Sequence, residues 1–322
     1  TCLYRFDCFT SKDILYMILS IKQMLRISFL PLLGLVLLTT SCTSLITSMA
    51  VKPAVSNLQK QSDIDLVCEG ASSYLLMIDS LVESDPKNKE LLKIGAQSYS
   101  GSVAALESCG APLERLKTLS DKSARYGKSL LSTMLPIDGG DQELLDAELE
   151  KRSKADAHSL FWGSYGWLSW IEQQKGSPAA MADVAAVEKI LSQVLELDET
   201  VEQGGPHLYF GVLYGSKPKM IGGDPERSRS HFERALEISN RSFLMAQVLF
   251  AATYRRMVFD RELHDSLLEE VIAFELDQAP DNRLSNQIAK RRAEELLEEN
   301  FFGDELFHWL KVIHLSVRVA RR

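Results

Sequence analysis

A chain of 322 residues, 45% hydrophobic and 25% charged, has the composition of a globular protein with ample apolar material for a core. Its formal net charge is −8, which argues against nucleic acid as the main partner because surfaces that bind nucleic acid are basic. No low-complexity tract indicates disorder. The class of protein therefore has to come from the pattern of its elements.

Residues 1–41 have the features of an upstream segment followed by a signal peptide. Arg26 precedes the apolar stretch 27–38, which is too short to span a membrane comfortably. The sequence Leu38-Thr39-Thr40-Ser41-Cys42 then resembles a bacterial lipobox, after which Cys42 would carry diacylglycerol and palmitate. We expect a lipid anchor at Cys42 that holds the protein outside the cytoplasm. An ordinary cleaved signal, with Cys42 as a bystander, is the alternative.

Two further cysteines, Cys68 and Cys109, follow Cys42. If residues 63–84 and 88–108 form an antiparallel hairpin that turns near Pro86, the two thiols lie at similar heights. A disulfide is one expectation, since bridges persist outside the cytoplasm. Two buried thiols that act as small apolar groups are the other.

The residues after Cys42 divide into a polar tether, 42–60, broken at Pro53, and a single helical domain, 61–322. Apolar residues recur at helical spacing throughout that domain, and no alternating β-branched run predicts a strand. The predicted helices span 63–84, 88–108, 115–134, 143–170, 179–197, 207–214, 225–239, 244–254, 261–276, 284–297 and 304–320.

The clearest helix start follows the break at Gly222 and Gly223. Asp224 can cap the free amides of the next helix, and Pro225 suits the first helical position. Together with 207–214, this helix shows the small and aromatic positions of a tetratricopeptide hairpin, in which small residues allow close approach. We expect an all-α array of antiparallel helical hairpins with cryptic tetratricopeptide-like repeats, resembling an α-solenoid.

Motifs that carry chemistry are missing from the sequence. We find no phosphate-binding loop, no His-Glu-x-x-His and no Cys-x-x-Cys, and the six histidines are scattered singly. Pairs of carboxylates such as Glu269 and Glu270 are expected on solvated helix faces. We therefore predict a protein that is not an enzyme and has no metal and no cofactor.

The lipobox followed by the segments 75–86, 222–228, 243–248 and 280–289, in this order, resembles the T component (TatT) of tripartite ATP-independent periplasmic (TRAP) transporters. The resemblance implies a homotrimeric periplasmic lipoprotein, anchored to the inner or outer membrane, with a cleft or pore in each protomer. It also implies docking of the periplasmic substrate-binding (P) component and passage of an apolar small molecule.

Aromatic residues near the middle of the array are candidates for the lining of this cleft, although a role in the core is equally compatible with them. The candidates, with two polar neighbours, are Trp162, Tyr165, Tyr209, Tyr214, Tyr254, Arg255 and Asn286. Two other functions remain open. One is a tetratricopeptide-like scaffold for assembly of the cell envelope, and the other is a hydrophobic carrier that acts alone.

Overall fold

The computed structural model describes residues 51–138, 141–174, 176–299, 301 and 302. All regular elements in these ranges are helical, which confirms the all-α class. Apart from five short 3₁₀ turns, the described helices are α1 Lys52–Gln59, α2 Ile64–Ser84, α3 Lys89–Ser108, α4 Leu113–Ser132, α5 Gln142–Leu149, α6 Ala157–Gln173, α7 Pro178–Leu197, α8 Gly205–Gly215, α9 Pro225–Ile238, α10 Met245–Val258, α11 Arg261–Ala273 and α12 Arg283–Glu298.

The starts of several helices are fixed by side-chain caps. Asp63 accepts a hydrogen bond from the amide of Leu66 at the start of α2, and Asn88 caps α3 in the same way. Asp224 accepts from two amides of α9, with Pro225 at its first position as predicted. Such caps satisfy donors that have no partner within the helix.

Two stretches differ from the sequence-based expectation. Residues within the expected tether form α1, and Pro53 is tolerated there because it lies in the first turn, where an amide would have no partner in the helix. The predicted helix 143–170 is broken, because α5 ends at Leu149 and Ser153 starts a separate 3₁₀ turn with a capping box. The expected leader, Cys42 and the helix 304–320 lie outside the described residues. None of the helices in the described part of the chain combines the length and the apolar composition that a membrane-spanning helix needs.

Glycines allow α4 and α6 to pack with their backbones almost in contact. A Cβ atom added at Gly127 would lie 2.5 Å from the carbonyl oxygen of Gly163, and one added at Gly166 would lie 2.8 Å from that of Ser123. Real Cβ atoms essentially never approach this closely. This contact fixes the centre of the N-terminal half, as the small residues of a helical hairpin are expected to do.

Five helices, α3, α6, α8, α10 and α12, form an inner layer that returns to its own start. In this layer α3 packs on α6, α8 on α10, α10 on α12, and α12 on α3. The step from α6 to α8 is made where Gly205 packs on Phe161. The helices α2, α4, α7, α9 and α11 lie outside this layer, against its members. We call the closed inner layer the ring; it is the part of the fold that positions the candidate site.

The N-terminal hairpin is cross-linked where the ring closes. Cys68 of α2 and Cys109, at the end of α3, form a disulfide with an S–S distance of 2.07 Å. The two cysteines are partly buried against a small cluster formed by Ile64, Ala105 and Ile288, which joins α2, α3 and α12.

Candidate functional site: the interior of the ring

One face of α6 points into the ring. Gly166 marks the side of α6 that contacts α3 and α4, and Phe161 marks the side that contacts α8. Trp162, Tyr165 and Glu172 lie between these two sides by helical spacing. They are partly or largely exposed, whereas most of the rest of α6 is buried. These three side chains therefore form the part of the interior wall contributed by α6.

The aromatic rings of this wall are locked against one another. Tyr165 stacks on Phe161 with centroids 5.7 Å apart and planes 12° apart, and it meets Trp162 edge-on at 5.6 Å. Tyr165 nevertheless keeps 41% of its surface exposed. An exposed aromatic side chain held in one orientation by its neighbours is suited to contact a ligand with apolar character.

A strained loop positions the polar end of the wall. Glu202, Gln203 and Gly204 all have positive φ, at 47°, 59° and 86°. Non-glycine residues in this conformation cost about 1–3 kcal/mol each. The conformation directs Glu202 to α6, where its carboxylate accepts a 2.8 Å hydrogen bond from the indole N–H of Trp162. Gln203 exchanges two amide hydrogen bonds with Asn282, which precedes α12.

Glu172 of α6 lies near a second carboxylate, Glu107 of α3. The pKa of Glu172 is raised to about 7, first by burial among protein atoms and second by the charge of Glu107. The side chain still has exposed surface, as expected for a group in a concavity that water can enter. Sequence reasoning missed this pair, although Glu172 follows Tyr165 by seven residues on the same helix face.

Tyr209 and Tyr214 are both residues of α8. The hydroxyl of Tyr209 is buried and has no hydrogen-bond partner among the described residues. Burial and the nearby Glu188 raise the pKa of this hydroxyl. Tyr214 points to the outer layer, where it stacks on His231. The guanidinium of Arg227 lies over its ring, 4.0 Å from the ring centroid. Both tyrosines therefore lie near outer helices, Tyr209 near Glu188 of α7 and Tyr214 near His231 of α9.

The C-terminal candidates have structural contacts. Tyr254 is 8% exposed within the main apolar core. Asn286 has no exposed surface: its Oδ1 accepts from the amide of Leu244 and its Nδ2 donates to the carbonyl of Ser242, so it holds the start of α10. Arg255 belongs to α10, and its side chain lies outside the described part of the chain.

Two of the histidines that the sequence scatters are brought together on the outer side of α8. The Nδ1 atoms of His207 and His231 lie 2.9 Å apart, and one of them donates a hydrogen bond to the other. The Nε2 atom of His207 also forms a hydrogen bond with the carboxylate of Glu199. The pKa of Glu199 falls to about 2, first because of Arg234 and then because of His207, while burial lowers that of His231 to about 4. In the described ranges, no group of three or more His, Cys, Asp or Glu side chains could hold a metal ion.

Comparison with known proteins identifies the family. The family described as TRAP transporter T-component matches residues 60–307, which is more than half of the chain. The chain belongs to this family. It is also similar to an uncharacterized protein of Treponema pallidum (strain Nichols), with 22% identity over 265 residues that cover 76% of this chain and 82% of the relative.

Membership gives the role at a coarse level. A TRAP T-component is an accessory part of a transport system that associates with other components of that system, and the family is not known for catalysis. The match spans all of α2 to α12, so the whole ring belongs to the T-component region.

Proposed function

We propose that this T component is a non-catalytic periplasmic lipoprotein that docks the substrate-binding protein of its TRAP transporter and passes a ligand with apolar character through the ring. The observation that carries the proposal is the closed inner layer with an exposed, ordered aromatic wall at Trp162 and Tyr165. A concavity lined by ordered aromatic side chains is suited to bind a molecule with apolar character.

The acidic pair is compatible with an apolar ligand. Because the pKa of Glu172 is about 7, a large fraction of this carboxyl is neutral at pH 7. A neutral carboxyl costs less to cover with an apolar molecule than a charged one does. We therefore expect ligand binding to strengthen as the pH falls from 8 to 6.

The anchor and the homotrimer are parts of the same proposal. Cys42 lies nine residues before Val51, the first described residue, so an acylated Cys42 would hold Val51 within about 30 Å of the membrane. A trimer of such domains would present three rings beside one membrane surface. Anchoring to either the inner or the outer membrane is consistent with this arrangement.

Docking is tested by sedimentation of the chain 43–322, alone and mixed with the substrate-binding protein encoded beside it. This chain includes all of residues 54–302, which lie within one compact unit. We expect a trimer that takes up one binding protein per protomer. A monomer that ignores the binding protein would reject the docking role and favour a scaffold for envelope assembly.

Passage of an apolar ligand is tested separately with the dye N-phenyl-1-naphthylamine, which fluoresces in apolar sites. Gly101 of α3 is exposed, and a Cβ placed there meets nothing within 4 Å. Helical spacing places Gly101 between Ala96, which faces α6, and Ala105, which faces α12, so we expect it to border the interior. Gly101→Phe should fill that space and weaken dye binding at least about fivefold. Gly70→Phe is the matched control, because Gly70 of α2 is equally open but lies in the outer layer. Equal binding by both variants would reject the ring as the ligand site without affecting the docking result.

A further inference from the structure

The ring closes across one small junction, which we call the seam. There α12 meets α2 and α3, and the buried apolar residues of the junction are Ile64, Ala105 and Ile288. The cluster that joins α8 to α12 contains sixteen buried residues. Because the free energy of packing follows the apolar area removed from water, the seam is held far more weakly than the packing on its C-terminal side.

The polar contacts of the seam are also weak. Arg291 donates to the carbonyl of Ser108 at 3.2 Å and reaches Asp65 at 3.3 Å. Lys60 pairs with Asp281 at 3.2 Å, with their side chains 47% and 81% exposed. Exposed ion pairs of this kind contribute little to stability because water screens them.

The opposite face of α12 is held firmly. Ala289, Ala293 and Leu296 have no exposed surface and belong to the large cluster shared with α10 and α11. If the seam separates, α12 therefore stays with the C-terminal helices and leaves α2 and α3. The helix itself remains folded, since its own backbone hydrogen bonds do not cross the seam.

The disulfide lies directly beneath the surface that α12 contacts. Cys68 and Cys109 pack against the seam cluster, and one guanidinium nitrogen of Arg291 lies 3.7 Å from the sulfur of Cys109. The bridge joins the two helices, α2 and α3, whose ends form that surface. Without it, only the packing between the two helices would hold the start of α2 against the end of α3, so the surface would be held less firmly.

We propose that the ring opens sideways at the seam, by movement of α12 away from α2 and α3, and that the Cys68–Cys109 disulfide limits this opening. Opening exposes the interior along its length. A ligand too wide to enter through either end of the ring would then reach the aromatic wall from the side. The proposal concerns the fold and holds whatever molecule the ring carries.

The opening is measured as a distance across the seam by double electron–electron resonance. Spin labels are attached to Glu69→Cys in α2 and Glu294→Cys in α12, both exposed positions, in the chain 43–322. Ile288→Ala should raise the fraction at the longer distance at least about tenfold, because it removes a buried side chain from the seam. Ile190→Ala, which removes an isoleucine buried in α7 away from the seam, should leave the distance unchanged.

The disulfide is tested with the double variant Cys68→Ser and Cys109→Ser on the same label pair. We expect the same shift to the longer distance. A reference label pair, Asp121→Cys in α4 and Met181→Cys in α7, should keep its distance in this variant and in Ile288→Ala. No shift across the seam, or a broadening of both pairs alike, would overturn the proposal, since the second result means general unfolding.

Discussion

Two glycines in helix interiors should respond to alanine in opposite directions. At Gly127 the added methyl would lie 2.5 Å from the backbone oxygen of Gly163, and neither backbone can rotate away. Forcing such helices apart costs about 1–3 kcal/mol or more, and the better helix propensity of alanine returns up to about 1 kcal/mol. We expect Gly127→Ala to lower the free energy of unfolding by about 2 kcal/mol, which corresponds to a fall in Tm of about 4–8 °C.

Gly101→Ala is the matched comparison, because Gly101 also lies within a helix but its Cβ would meet nothing within 4 Å. Only the propensity term remains, so we expect a gain of about 0.5–1 kcal/mol. Both variants are measured by urea unfolding followed by circular dichroism, with Tm as a second readout. Equal effects of the two substitutions, or a stabilised Gly127→Ala, would refute the close approach of α4 and α6.

Asn286→Ala should cost about 2–3 kcal/mol, because it leaves the buried amide of Leu244 without an acceptor; urea unfolding checks this, and a loss below about 0.5 kcal/mol would contradict it. Glu172→Gln tests the raised pKa. The native carboxyl binds more protons than the unfolded one between pH 4.5 and about 7, so it lowers stability as the pH rises through this range. The variant should match the wild type at pH 4 and exceed it at pH 8 by less than about 1 kcal/mol, because exposure screens the effect. Equal stability at both pH values would show that the pKa of Glu172 is not raised.

The sequence was sufficient to predict features that depend on residues close together in the chain. The capping of α9 by Asp224 and the start at Pro225 involve residues two or three positions apart, and both were predicted. Closure of the ring was not predictable in this way, because it joins Asp65 to Arg291 across 226 residues. The spacing of apolar residues within one helix carries no information about a contact between two distant helices.

The candidate site depends partly on residues close together in the sequence and partly on residues far apart. Clustering along α6 pointed to Trp162 and Tyr165, and helical spacing places both on the interior face. The position of Asn286 in the sequence says nothing about Leu244, whose amide it binds from another helix. The strain at Glu202 arises from backbone geometry, and its residue type does not reveal it.

Closure of the ring has a consequence for how the protein is made. The first hairpin and the last described helix complete each other, so a chain that emerges from its N-terminus must carry an unfinished apolar patch until α12 has appeared. Contacts of such high sequence separation slow folding, because a long loop has to close before they contribute any free energy. We expect truncation before α12 to leave a protein whose N-terminal hairpin binds chaperones or aggregates, although every residue of that hairpin is present.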